Sequence, residues 1–122
     1  MPESKPFRMA ARVKSFLQAL SGLKTMLRTQ HNAWIHLAAT FLVIGAGVGL
    51  RLTPFEWVAI ILAIVLVWTA EALNTALEFL CDVVSPEFHP LVGMAKDVAA
   101  GAVLVSALGA AAIGTIVFLQ HS

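Results

Sequence analysis

Three long apolar stretches, residues 34–50, 57–80 and 98–119, constrain this chain more than any other feature. Each is long enough as a helix to cross a hydrocarbon core of about 30 Å, the first only just, at about 25 Å by the helical rise. A chain of 122 residues built around three such runs has no room for a separate soluble core. Composition agrees: 59% of residues are hydrophobic, 12% are charged, and the mean hydropathy is +0.86, whereas soluble domains carry about a quarter charged residues. The expected fold is therefore an all-α membrane protein, one domain over residues 1–122. A cleaved signal peptide fits poorly, because the first apolar run starts well into the chain and two more follow. A net charge of +1 argues against a nucleic-acid partner. Cys81 is the one cysteine, so an internal disulfide is excluded and a metal site built on thiolates alone is too.

Ahead of the spans, residues 1–6 are polar, include Pro2 and Pro6, and read as a disordered start. Over residues 7–28 the pattern becomes helical. Met9, Val13, Phe16, Leu20, Leu23 and Leu27 recur at steps of three and four, which gathers them on one face. Arg8, Arg12, Lys14, Gln18, Ser21, Thr25 and Arg28 fall mostly opposite. A basic amphipathic helix beside a spanning segment is expected to lie in the membrane interface. Trp34 and Trp57, at the edges of apolar runs, suit interfacial anchors.

Orientation follows from the cations. With three spans, the N-terminal segment and the loop around residues 81–97 share one side of the membrane. Lys5, Arg8, Arg12, Lys14, Lys24, Arg28 and Lys96 all fall on that side, and only Arg51 falls on the other. The positive-inside rule makes the crowded side cytoplasmic, with the N-terminus inside and the C-terminus outside. Gly45 and Gly49 form a small-xxx-small pair, and Ala102, Ser106, Ala110 and Gly114 continue that spacing on the third span. Such ridges let helix backbones approach closely in lipid. Three helices hardly enclose a polar site alone, so self-association is expected.

The second span carries the chemistry. Glu71, Asn74, Glu78 and Asp82 are spaced three, four and four residues apart, so they form a single stripe about 80° wide. Glu71 and Glu78 lie about 10 Å apart along the axis. Ionisable groups inside a span are costly and usually face a bundle interior or a watery cavity. Asp82 could be an ordinary solvated helix end. Glu71 is harder to dismiss, because Ala72, Leu73, Ala76, Leu77, Phe79 and Leu80 continue the apolar character beyond it. Across the next loop, Lys96 and Asp97 stand at the head of the third span. Asp97 could cap that helix through the macrodipole, or the pair could point into the same pocket as Glu78. Carboxylates to hold Mg²⁺, a cation for the transferring phosphoryl group and a base for an acceptor hydroxyl are what phosphoryl transfer requires. No Walker loop or kinase glycine-rich loop is present.

These residues carry a resemblance. Glu71-Ala-Leu-Asn74-Thr-Ala-Leu-Glu78, then Asp82, then Glu87-Phe88-His89-Pro-Leu, then Ala95-Lys96-Asp97-Val-Ala-Ala-Gly, resemble the prokaryotic diacylglycerol kinase family, which includes the undecaprenol kinases. The likeness covers about residues 12–118 in order. It implies a homotrimer of three-span subunits in the bacterial inner (cytoplasmic) membrane, each with an N-terminal surface helix and with active sites shared between subunits. It also implies MgATP from the cytosol and a lipid alcohol from the bilayer. Ala-Leu-Asn-Thr-Ala and His-Pro-Leu look more like the undecaprenol branch, which makes undecaprenol the first choice of acceptor and diacylglycerol the second.

Carried over residue by residue, the resemblance makes Glu71 the general base on the lipid hydroxyl and Glu78 a metal ligand. Asn74 supports the phosphates, Lys96 neutralises the γ-phosphoryl group, and Asp97 holds Lys96 or the nucleotide. Glu87 and His89 match the loop that contacts the nucleotide in the family, and Asp82 is a possible lining residue. The family pattern has a further Glu at the end of the surface helix that joins in binding metal; here that position is Gln30. Gln offers a carbonyl oxygen without charge, so metal binding is expected to be weaker. Trp34 stands where many relatives have Arg. A second reading makes the chain a catalytically weakened or silent membrane assembly subunit, with Gln30 as its signature, but it gives no reason for Glu71, Asn74, Glu78 and Lys96 to coexist. His31, His36 and His121 show no ligand spacing and take no role at this stage; Cys81 is expected to be inert.

Overall fold

The computed structural model describes Pro6 and residues 8–121. The expected disordered start, the charge on Lys5 and the beginning of the first helix at Phe7 lie outside those residues. The described chain is all-helical: α1 Met9–Thr29, α2 His31–Leu50, α3 Pro54–Val84 and α4 Pro90–Leu119. Helices α2, α3 and α4 are each long and apolar enough to cross a membrane, so the chain is a multi-pass membrane protein.

Each boundary has a local cause. Between α1 and α2 a single residue, Gln30, is extended (φ −118°, ψ 116°). Its N–H still donates to the Met26 carbonyl at 3.0 Å, and its own carbonyl accepts from Ala33 N–H at 3.2 Å. The sequence reading places the start of this span at 34. The helix begins three residues earlier because His31 and Asn32 occupy its first turn, where backbone N–H groups have no intrahelical partner in any case. At the far end of α2, Arg51 takes the left-handed conformation (φ 57°, ψ 60°), and its N–H and that of Leu52 fold back on the last turn. The next helix is signalled twice. Thr53 and Glu56 make a reciprocal capping box, and Pro54 fills the first helical position, where a missing N–H is harmless.

The structure moves the third span. The sequence reading starts it at 98, with Lys96 and Asp97 at its head, but α4 begins at Pro90. Pro90 reads as a chain breaker and serves as a first helical residue, while the His89 Nδ1 accepts from Leu91 N–H at 3.1 Å as the cap. Asp97 therefore lies well beyond the first turn and does not cap α4. At 31 and 30 residues, α3 and α4 are each about 45 Å long, longer than a hydrocarbon layer of about 30 Å.

Helices α3 and α4 form the main packed pair, α2 leans on α3, and α2 scarcely touches α4. Among the described residues of α1, only the last turn is packed: Met26 is buried and Leu27 half-buried, whereas Val13, Phe16 and Leu20 are exposed. A compact apolar knot of Leu52, Ile60 and Val117, flanked by Trp57, Ile113 and Phe118, ties the ends remote from Glu78 and Lys96. There His121 Nε2 also meets Glu56 Oε2 at 2.8 Å. The backbone is approached closely at Gly47, rather than at Gly45 or Gly49, which face open space. A Cβ at Gly47 would lie 2.8 Å from the Trp57 ring, so Trp57 is partly a packing residue while Trp34 stays exposed. On α4, Ser106 is buried, and Ala110 and Gly114 line a cleft.

That cleft, about 700 Å³, opens between α2 and α4 over a floor of α3. Its walls are almost wholly apolar, including Val43, Ile64, Ala107 and Phe118. His36 and Thr40 are among its few polar lining groups.

Candidate functional site

The acidic stripe of α3 stands as the helical spacing requires, and the structure adds its depth. Glu71 is 1% exposed and Asn74 is 8% exposed, both among the most buried residues of the chain. Glu78 is half-buried and Asp82 is exposed. Polar character therefore runs from dry to wet within three turns of one helix.

Glu71 is the anomaly. Among the described residues neither of its carboxylate oxygens has a hydrogen-bond partner, and both are buried. Leaving such a group unsatisfied costs about 1–3 kcal/mol, more when it is charged, so a fold retains one only for a reason. The nearest charged or chargeable contact is His36 Nε2, at 3.5 Å from Oε2. One turn on, Thr75 Oγ1 donates to the Glu71 carbonyl at 2.9 Å. Asn74 Nδ2 donates to Glu78 Oε1 at 3.4 Å, which ties the middle of the stripe together. Its own carbonyl oxygen, Oδ1, is buried and unpartnered. Two side chains of the stripe thus offer oxygen acceptors to something beyond this chain's own groups.

At the wet end, Lys96 Nζ donates to Asp82 Oδ1 at 2.8 Å. This pair joins α3 to α4 where both are exposed. The resemblance offers Asp97 as a holder of Lys96; its ion-pair partner is Asp82, and Asp97 is exposed on α4. Glu87 and His89 are exposed in the α3–α4 connection, where Ser85 Oγ donates to the Glu87 carbonyl at 2.7 Å and His89 caps α4. Gln30 is half-buried at the α1–α2 junction, on the one packed stretch of α1. Cys81 is buried and unbridged.

One residue at the site carries no signal in the sequence taken linearly. His36 belongs to another helix, and only the packing of α2 on α3 sets it beside Glu71. That packing is pinned nearby: Trp68 Nε1 donates to Thr40 Oγ1 at 2.9 Å, and Thr40 Oγ1 donates to the His36 carbonyl at 2.6 Å. A reader seeking it could ask which polar residues of the shortest span fall one turn apart, since His36 and Thr40 do.

Among the described residues, no three His, Cys, Asp or Glu side chains gather closely enough to hold a metal ion. Mg²⁺ suits this arrangement nonetheless. It takes hard oxygen ligands, commonly one or two carboxylates with the remainder from water and substrate phosphates. Glu78 and the orphaned Asn74 carbonyl are such donors.

Fold and site together define a three-span membrane protein with a partly dry carboxylate–amide site near one end of its longest helix. The model of prokaryotic diacylglycerol kinase matches residues 17–118, and the chain belongs to that family. It is 41% identical over 106 residues to the undecaprenol kinase of Bacillus subtilis, covering 87% of this chain and 86% of that protein. It is 39% identical over 106 residues to a diacylglycerol kinase of Synechocystis, covering 86% of this chain and 61% of that protein. Over 121 residues it is 30% identical to the diacylglycerol kinase of Escherichia coli, covering 93% and 98%.

Proposed function

We propose that this chain is an ATP-dependent lipid kinase that transfers the γ-phosphoryl group to the hydroxyl of a membrane alcohol at the cytoplasmic face. The observation that carries this reading is Glu71, buried to 1% with both oxygens unpartnered, within a chain of this family. A carboxylate held dry and unbonded suits a general base awaiting a hydroxyl.

In this reading Glu71 accepts the proton of the alcohol as its oxygen bonds to the γ-phosphorus, while the bond from that phosphorus to the β–γ bridging oxygen breaks and ADP leaves. The hydrocarbon part of the acceptor occupies the apolar cleft between α2 and α4, which leads to His36 and hence to Glu71. Glu78, with the neutral oxygen of Gln30, would hold Mg²⁺, and Asn74, whose carbonyl oxygen is buried and unpartnered among the described residues, would support the phosphates. Bound there with ATP, the ion would offset phosphate charge. Lys96, carried beside Asp82 at the exposed end, meets the γ-phosphoryl group, and Asp97, Glu87 and His89 face the nucleotide. Undecaprenol is the preferred acceptor and diacylglycerol the second. The relative named undecaprenol kinase, at 41% over most of both chains, favours this order slightly over the diacylglycerol kinase at 39%.

The assembly proposed is a homotrimer of single-domain subunits spanning residues 1–122, in the inner membrane, with the N-terminus cytoplasmic and the C-terminus outside. Helix α1 lies on the membrane surface with Met9, Val13, Phe16, Leu20 and Leu23 toward lipid; all are exposed in the single chain. Large apolar side chains such as Phe41, Leu42, Leu73 and Val105 are also exposed, which supports burial against lipid or further subunits. The deciding experiment offers purified protein in lipid nanodiscs MgATP labelled in the γ-phosphate, with undecaprenol or diacylglycerol. Transfer to undecaprenol in preference is expected. Equal inertness toward both alcohols, in protein that remains folded and assembled, would overturn the kinase reading and favour the silent assembly subunit that Gln30 hints at.

A further inference from the structure

Nothing in the phosphoryl-transfer scheme uses His36, yet among the described residues it is the one side chain within ion-pair range of the buried Glu71 carboxylate. Its imidazole is 16% exposed where Glu71 is 1% exposed. His36 lines the large apolar cleft and also a smaller one of about 280 Å³ between α2 and α4. It thus borders both clefts and lies 3.5 Å from the Glu71 carboxylate, which lines neither. Its backbone is fixed by the Trp68–Thr40–His36 chain of hydrogen bonds across the α2–α3 contact. Trp68 precedes Glu71 by about one turn on α3, and Thr40 follows His36 by about one turn on α2. Two successive links therefore set the register of these helices at the level of the carboxylate.

We propose that His36 is a positioning residue for Glu71. From across the helix interface its Nε2–H fixes the rotamer of the carboxylate, so that the free oxygen faces the cleft through which the acceptor hydroxyl arrives. At 3.5 Å the contact lies at the outer edge of hydrogen bonding and tightens when the acceptor closes the cleft, as catalytic hydrogen bonds do on forming the reacting complex. The inference rests on Glu71 acting as the base. It adds that the base is aimed by a residue on a different span, one that touches neither nucleotide nor metal.

The test uses the full chain in nanodiscs and compares His36→Ala, His36→Gln, Glu71→Ala and the double variant His36→Ala/Glu71→Ala. Glutamine carries an amide N–H near the place of Nε2 and can make the same contact without an imidazole. His36→Ala is expected to lower kcat about 10- to 100-fold, the scale of a misaimed reacting group, and to leave KM for MgATP within about twofold. His36→Gln should recover most of the lost kcat. Combined with Glu71→Ala, His36→Ala should cost nothing further, because there is no carboxylate left to aim. Full kcat in His36→Ala, a glutamine variant no better than alanine, or an undiminished second loss in the double variant would each overturn the proposal. Were Glu71→Ala fully active, the failure would lie with Glu71 as base, and that outcome is read from the single variant alone. Helix-pair integrity is followed through the thermal transition of the combined tryptophan emission, and the glutamine variant, which keeps bulk and polarity, decides the matter if alanine unfolds the protein.

Discussion

Replacing Glu71 by methionine should make the protein more stable and nearly inactive at once. Methionine matches the length of glutamate without branching and brings no polar atom into an apolar setting. The native side chain buries two oxygens that lack partners. Removing an unsatisfied polar group of this kind is worth about 1–3 kcal/mol. The opposing loss is the His36 contact, which at 3.5 Å to a partly exposed imidazole is too long to offset much of that. The net expectation is a gain of about 1–3 kcal/mol, which at about 4 °C per kcal/mol for a chain of this size raises Tm by about 4–12 °C. Turnover should fall about 10²- to 10⁴-fold, the usual contribution of a general base. Thermal scans of tryptophan emission in nanodiscs report the first quantity, and phosphoryl transfer from labelled ATP reports the second. A fall in Tm would refute the reasoning, because it would mean that partners in the assembly satisfy the carboxylate and that its burial is structural. Unchanged turnover would refute the assignment of the base.

Gln30→Glu should reduce the Mg²⁺ concentration needed for half-maximal activity several-fold, measured by metal titration of turnover; no change would remove Gln30 from the metal site. Gly47→Ala sets a Cβ 2.8 Å from the Trp57 ring and 2.9 Å from Leu52. Overpacking of about 1–3 kcal/mol, less about 1 kcal/mol of improved helix propensity, predicts a net destabilisation of about 0–2 kcal/mol, read from Tm together with a shift in tryptophan emission. Lys96→Met should raise KM for ATP about tenfold or more while leaving Tm unchanged, since the Asp82 pair is exposed and such pairs contribute little to stability; a drop in Tm with unaltered KM would make that pair a structural link only.

The spans were legible because a membrane imposes a coarse requirement, a run of apolar residues long enough to cross, and length and hydropathy report it directly. Their ends were less so. Pro90 is as compatible with stopping a helix as with starting one, and only its place after the His89 cap decides. Gln30, which separates two helices by a single extended residue, has no breaker chemistry of its own. The stripe Glu71, Asn74, Glu78 and Asp82 was legible because helical periodicity fixes angle. Periodicity is silent on depth, so the fall from buried Glu71 to exposed Asp82 had to come from packing. Contacts across helices were the least legible. Lys96 meets Asp82 rather than its neighbour Asp97, and His36 meets Glu71, because a linear pattern does not encode which faces of two helices come together. Gly45 and Gly49 follow the same logic: a small-residue spacing announces that something can approach, and within this chain the approach is made at Gly47.

The burial gradient along α3 bears on how efficiently such a kinase uses its nucleotide. An activated phosphoryl group has two competitors for its attack, the lipid hydroxyl and water, and water is far more abundant in the cytosol. At Asp82 the helix is wet, with the side chain 66% exposed, while at Glu71 it is dry to 1%. In the proposed scheme a nucleotide arriving at the exposed end and an alcohol arriving at the buried end would meet across that boundary, with Glu71, the proposed base, on the side from which solvent is excluded. Futile ATP hydrolysis should therefore be slow beside lipid phosphorylation. Variants that let water down to residue 71 should uncouple the two, consuming ATP without phosphorylating lipid.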